Sequence, residues 1–144
     1  MSFTNLIYHV VFGTKDRRPV IPTDTLARLH AYIGGAIRAE GGIALEVGGI
    51  EDHVHVLAKW KADRTLADLM RQAKANSSKW LRQMHPDWPG WQGRYGAFTV
   101  SESQVDAVRA YIAHQREHHR QLAFRDELIA LLRRNRIEFD ERYI

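Results

Sequence analysis

His53-Val54-His55 sets two imidazoles two residues apart. On a β-strand, residues i and i+2 face the same way, so both rings can close on one cation. Far downstream, Tyr111 and Gln115 stand four residues apart, the spacing that puts a phenol and a further oxygen donor on one face of a helix. A cation held beside a tyrosine is equipment for phosphoryl transfer. Each half alone has an ordinary explanation. Two strand histidines beside a polar groove serve as hydrogen-bonding residues, and a helical tyrosine usually packs with its hydroxyl at the surface.

The elements that must position these residues can be read from the hydrophobic pattern. Leu6 to Thr14 is β-branched and aromatic with loose alternation, a strand. After Pro22, with Thr23 or Asp24 as cap, Leu26, Leu29, Ile33 and Ile37 recur at helical spacing, and the helix stops near Gly41-Gly42. Ile43 to Ile50 and His53 to Trp60 read as a hairpin joined by Glu51-Asp52. A second helix from Thr65 ends before the loop around Pro86 and Pro89, and Gly93 to Val100 reads as a fourth strand. Ser101 or Ser103 then caps a helix running to about Arg116, and a last helix covers about Phe124 to Arg134.

The order β-α-β-β-α-β followed by helices is the split βαβ pattern of a ferredoxin-like α+β fold, an antiparallel sheet of four to five strands. Helices are expected on one face, leaving the other face or one end open for a ligand. No repeat, low-complexity tract or linker interrupts the chain, so residues 1–144 are expected to form a single domain.

On the helix from Ser103 to Arg116, Val105, Val108 and Ile112 define the buried stripe. Tyr111 and Gln115 border it, where side chains lean over the sheet while their polar ends stay wet. His114, His118 and His119 compete with Gln115 as a ligand, and His118 points nearly the same way. His9 reads as a core or groove histidine. Glu51 or Asp52 could orient an imidazole from behind, or simply solvate the turn.

Composition narrows the chemistry. The 144 residues contain no cysteine, which excludes disulfides, a thiolate nucleophile and cysteine-ligated metal; any cation must sit on N and O ligands. The opening segment is too short and wrongly flanked for a signal peptide, and no run of about eighteen apolar residues occurs, so a soluble, cytoplasmic protein is expected. A net charge of +4 permits a polyanionic partner. Lys15, Arg17 and Arg18 follow the first strand, and Arg71, Lys74, Lys79 and Arg82 lie along one helix, whose plain reading is a solvated face. Trp60, Trp80, Trp88 and Trp91 could stack on unpaired bases, although packing is the commoner use of a tryptophan.

Several blocks, in order, carry a resemblance. These are Tyr8-His9-Val10-Val11-Phe12 with Thr14-Lys15 and Arg17-Arg18; His53-Val54-His55-Val56-Leu57; Lys74 with Ser77-Ser78; Trp91-Gln92 with Tyr95 to Ser101; and Tyr111-Ile112 followed by Gln115. Over almost its whole length the chain resembles the single-tyrosine HUH transposases of the IS200/IS605 type, including their REP-associated relatives. The resemblance implies cleavage and rejoining of single-stranded DNA beside hairpins. It makes Tyr111 the nucleophile, and His53, His55 and Gln115 the holders of Mg²⁺ or Mn²⁺. It also implies a homodimer, in many members with the tyrosine helix of one subunit completing the histidine site of the other; the short polar stretch Val100 to Gln104 is a hinge compatible with such exchange. Lys15, Arg17, Arg18, Lys74, Ser78 and Lys79 would then contact DNA phosphates.

Two rival functions remain open at this level. A ferredoxin-like sheet with a basic rim also describes a hairpin DNA- or RNA-binding module that forms no covalent link. A small hydrolase using His53, His55 and His118 would cut phosphodiesters without a protein-linked product.

Overall fold

The computed structural model describes residues 2–144. Four strands, β1 (Leu6–Gly13), β2 (Ile43–Ile50), β3 (His53–Trp60) and β4 (Gly96–Thr99), form one sheet in the order β2-β3-β1-β4. Every neighbouring pair is antiparallel, so the split βαβ topology read from the sequence is the one observed. β1 and β3 sit in the middle and are almost wholly buried, which is why both are near-continuous apolar runs.

Alternation divides the central strands between two faces. Val10 and Phe12 of β1 join Val54, Val56, Ala58 and Trp60 of β3 in the main core, against α1 (Leu26–Ala39), α2 (Leu66–Met70) and α3 (Asn76–Met84). A capping box between Thr65 and Asp68 starts α2, and a π-helical turn at Arg71–Ala75 joins it to α3. The opposite face carries His9, Val11, His53, His55 and Leu57, and it too is covered. Leu57 packs with Ile7 and with Ile112 of α4 (Val105–Ala113), while Val11 and Phe98 pack with Phe124 and Leu132 of α6 (Phe124–Arg134). Helices therefore flank both faces, where the sequence suggested only one. The second face is too apolar to stay wet, and the helices after β4 return across it.

Three boundaries differ from the sequence reading. β4 begins at Gly96, not Gly93, because Gln92 N donates to Gly13 O and Trp91 bridges Thr14, leaving Gly93 to Tyr95 to loop outward. Ser101 begins only a short 3-10 turn, Glu102–Gln104, before α4. The expected continuous helix to Arg116 is broken at His114 (φ −106°, ψ 28°), so Gln115 opens a separate turn, α5 (Gln115–His118).

One glycine sets the height of α4 over the sheet. A Cβ on Gly48 of β2 would lie 2.5 Å from the Ile112 carbonyl oxygen. Only a residue without a side chain lets the helix carrying Tyr111 lie that close.

Candidate active site

His53 and His55 have no exposed surface, held by β3 at the middle of the sheet and roofed by α4, α5 and α6. The His53 ring stacks on Phe124, with centroids 4.2 Å apart and planes 6° from parallel. Its Nδ1 donates to Asp52 Oδ1 at 2.7 Å. Asp52 thus takes the orienting position, while Glu51 accepts from Arg116 at 2.8 Å and from Thr23 at 3.1 Å. With Nδ1 committed, His53 Nε2 faces Gln115 Oε1 at 2.8 Å.

Gln115 is fixed at its other end. Its Nε2 donates to the Tyr111 carbonyl at 3.3 Å, so the amide oxygen is the atom turned to the imidazoles. The i,i+4 pair read from the sequence survives the break at His114, because Gln115 is still one turn beyond Tyr111. His55 lies between two partners, with His9 Nε2 2.8 Å from its Nδ1 and Glu127 Oε1 3.0 Å from its Nε2. The Tyr111 ring stands edge-on to His55 at 5.6 Å, and its hydroxyl donates to Glu127 Oε2. A cleft of about 340 Å³, bordered by His9, Gln104, Tyr111, His118, Glu127 and Arg134, gives the tyrosine access to solvent.

Sequence reasoning missed Glu127. It is 1% exposed on α6 and touches four histidines. Oε1 lies 3.3 Å from His53 Nε2, 3.0 Å from His55 Nε2 and 3.1 Å from His119 Nε2; Oε2 lies 3.4 Å from His118 Nε2. The signal was available: in Phe124-Arg-Asp-Glu-Leu-Ile-Ala-Leu-Leu an acid occupies the i+3 position of the apolar stripe Phe124, Leu128, Leu131. A carboxylate there must find partners indoors.

The charges around it follow. Burial opposes the ionised form of Glu127, but hydrogen bonds from His119, His53 and His55 hold its carboxyl well below the usual range. Burial likewise opposes a charged His53, yet hydrogen bonds to Asp52, Glu127 and Gln115 and the charge on Glu127 raise it to about 9. Burial dominates for His55, lowered to about 4, and for His9, lowered to about 3. Burial and the neighbouring carboxylate hold the Tyr111 phenol above its ordinary value. The site therefore attracts positive charge at one point, near His53 Nε2 and Gln115 Oε1. With His53 charged, its Nε2 donates to the Gln115 amide oxygen; once that proton is removed, an imidazole lone pair and an amide oxygen face each other, a donor pair that fits a divalent cation.

The basic residues fall into two groups. Lys15, Arg17 and Arg18 form the loop that leaves β1 at Gly13, opposite His53 in the sheet, and Lys79 is exposed on α3. Lys74 and Ser78 are engaged internally: the lysine donates to Gln92 O at 2.7 Å and the serine accepts from Trp88 Nε1 at 3.0 Å. The tryptophans pack, as their ordinary reading had it. Trp60 Nε1 donates to Thr65 O, Trp91 Nε1 to Ser77 Oγ, and Trp80 stacks on Tyr32. Among the described residues, no helix is long and apolar enough to cross a membrane.

This layered α+β body is a fold seen in transposases. It is similar to the structure of a Deinococcus radiodurans R1 protein described as a transposase, with a TM-score of 0.64 and 23% identity over 79% of this chain and 93% of that one. It is also similar to a REP-associated tyrosine transposase bound to a REP hairpin, with a TM-score of 0.59 and 13% identity over 83% of this chain and 72% of that one. No curated protein matches the sequence. The family described as "Transposase IS200 like" matches residues 2–115, and the chain belongs to that family. The match ends at Gln115, so His118, His119 and Glu127 lie beyond it.

Proposed function

We propose that this transposase-family protein cuts and rejoins single-stranded DNA beside hairpins through a 5′-phosphotyrosine on Tyr111, with His53, His55 and Gln115 holding Mg²⁺ or Mn²⁺. The observation that carries the reading is convergence. A tyrosine on α4 that borders the open cleft, an amide oxygen at the start of α5 and two buried imidazoles on β3 are joined through Glu127 and direct contacts into one cluster of a single chain.

In the forward step the phenol oxygen gives up its proton and forms a bond to phosphorus while the bond from phosphorus to the 3′ oxygen breaks, and the departing oxygen takes up a proton to leave a free 3′-OH. The phosphodiester is exchanged and not hydrolysed, so a 3′-OH from a second strand can reverse the step without ATP. Glu127 orients the nucleophile by accepting its hydrogen bond, leaving the lone pairs of the hydroxyl oxygen for the cleft. The buried, carboxylate-bound phenol is a poor nucleophile unaided. A bound cation would supply the positive charge that lowers the phenol's proton affinity and polarises the scissile phosphate. His9 backs His55, and Asp52 fixes the tautomer of His53.

Single-stranded DNA with a hairpin is the proposed partner, in line with the hairpin bound to the REP-associated relative. Lys15, Arg17, Arg18 and Lys79 would contact phosphates directly, and Lys74 and Ser78 would act through the Trp88–Gln92 loop they hold. The protein would work as a homodimer. Because Tyr111 reaches the histidines of its own chain, assembly of each site within one subunit is favoured over exchange. The whole chain, residues 1–144, would act as one domain.

The test incubates the protein with a labelled single-stranded hairpin from DNA flanking its gene, with Mg²⁺ or Mn²⁺, and resolves the products on a denaturing protein gel. A labelled adduct that disappears with EDTA and with Tyr111→Phe is expected. Hairpin binding without an adduct under any cation would instead favour the binding module, and strand cleavage that survives Tyr111→Phe would favour the hydrolase.

A further inference from the structure

We propose that Glu127 and His119 are additional ligands of the same cation, so that this chain holds it with His53, His55, His119, Gln115 and Glu127. The resemblance implies only the first two histidines and the glutamine; both added residues lie beyond the family match. The proposal rests on the metal-dependent reading above.

The argument is a count of protons. His53 Nδ1 donates to Asp52 and His119 Nδ1 donates to the Leu122 carbonyl, so in the neutral rings both Nε2 atoms carry lone pairs. Those two lone pairs face the same two oxygens. Gln115 Oε1 is 2.8 Å from His53 Nε2 and 2.9 Å from His119 Nε2; Glu127 Oε1 is 3.3 Å and 3.1 Å from the same atoms. The Gln115 atom is the carbonyl oxygen, since its amide nitrogen is occupied by Tyr111 O. Four acceptors thus form a closed ring with no hydrogen of their own to place between them. Extra protons on the imidazoles can quiet such a ring, and so can a cation at its centre.

Its dimensions admit the cation. In a six-coordinate ion with bonds of about 2.1 Å, neighbouring ligand atoms are roughly 3.0 Å apart. The four sides of the ring bracket that value; His55 Nε2 touches the ring at one corner, 3.0 Å from Glu127 Oε1. His53, His119 and Glu127 also offer ligand atoms that all lie within 4.8 Å of one another. Glu127 then has a job for each oxygen: Oε1 on the cation, Oε2 on the Tyr111 hydroxyl. One carboxylate would set the distance between cation and nucleophile.

The test titrates Mn²⁺ into the metal-free protein by calorimetry, with folding of each variant checked by circular dichroism. Glu127→Gln and His119→Gln are expected to weaken Mn²⁺ binding by at least about tenfold, as is His53→Gln. If Glu127→Gln binds as tightly as the parent or tighter while His53→Gln does not, Glu127 merely fills the site and the proposal is wrong. If His53→Gln also binds like the parent, or the parent binds no Mn²⁺, the metal-dependent reading itself has failed. A second measurement counts ligands. Electron spin-echo spectroscopy of the Mn²⁺-loaded protein should show one imidazole nitrogen fewer on the ion in His119→Gln than in the parent, and an unchanged count would remove His119.

Discussion

Around Glu127 the protein keeps two imidazoles neutral and one charged, and each state leaves a mark on stability. His9 and His55 fall from an ordinary 6.5 to about 3 and about 4, chiefly through burial. The unfolded chain therefore takes up protons below pH 6.5 that the folded one refuses, and stability drops as the pH falls from 6.5 to 4. His53 runs the other way. Its folded value of about 9 exceeds 6.5, so its contribution is complete below pH 6.5 and is lost as the pH rises through 9. In EDTA, the thermal midpoint measured by scanning calorimetry should peak near pH 6.5 and decline on both sides, more steeply toward acid, where His9, His55 and His30, which burial also lowers to about 4, act together. A flat profile from pH 4 to 9 would contradict the charge assignment. The sequence displayed the histidine pair, the tyrosine and the glutamine, because their spacing is local. It did not display Glu127 as their hub, because that hydrogen bond spans 72 residues between His55 and α6.

At the scale of elements, position depends on how closely α4 can approach β2. A Cβ at Gly48 would meet backbone, the Ile112 carbonyl at 2.5 Å, and Ile112 follows Tyr111 directly. The helix must lift to admit it, carrying Tyr111, the proposed nucleophile, with it. Gly48→Ala is expected to lower the rate of adduct formation by about 10²-fold, the usual cost of a displacement near 1 Å, and to lower the unfolding midpoint as well. Gly35 in α1 is the control: a Cβ there meets nothing within 4 Å, so Gly35→Ala should leave cleavage unchanged and add about 0.5–1 kcal/mol of stability in denaturant melts. The strands and helices were legible as periodicities, and β2, β3 and α6 end where the pattern ends. β4 and the break at His114 were not, since pairing partners and a turn in the backbone decide them.

For the whole molecule, the modest charge of +4 matters through its placement. Lys15, Arg17 and Arg18 leave the sheet at the end where Gly13 pairs with His53, one of the two histidines proposed to hold the cation. Replacing Lys15 or Arg18 by Ala should flatten the plot of log affinity against log salt by roughly 0.7 for each phosphate that is no longer neutralised, read by fluorescence anisotropy on the hairpin. Lys74→Met should leave that slope unchanged, because its ammonium is already bound to Gln92 O. An equal change in slope for all three would place Lys74 on the DNA.

The sequence by itself determined the order of the elements, the split βαβ topology and the same-face pairs His53/His55 and Tyr111/Gln115. All of these follow from backbone periods that act over a few residues. Only the tertiary structure decided that α6 roofs the histidines, that Asp52 and Leu122 fix the two tautomers, and that the Tyr111 ring stands edge-on to His55. Those outcomes depend on which apolar face needs cover and on how near two backbones can approach, and neither is written in the spacing of residues along the chain.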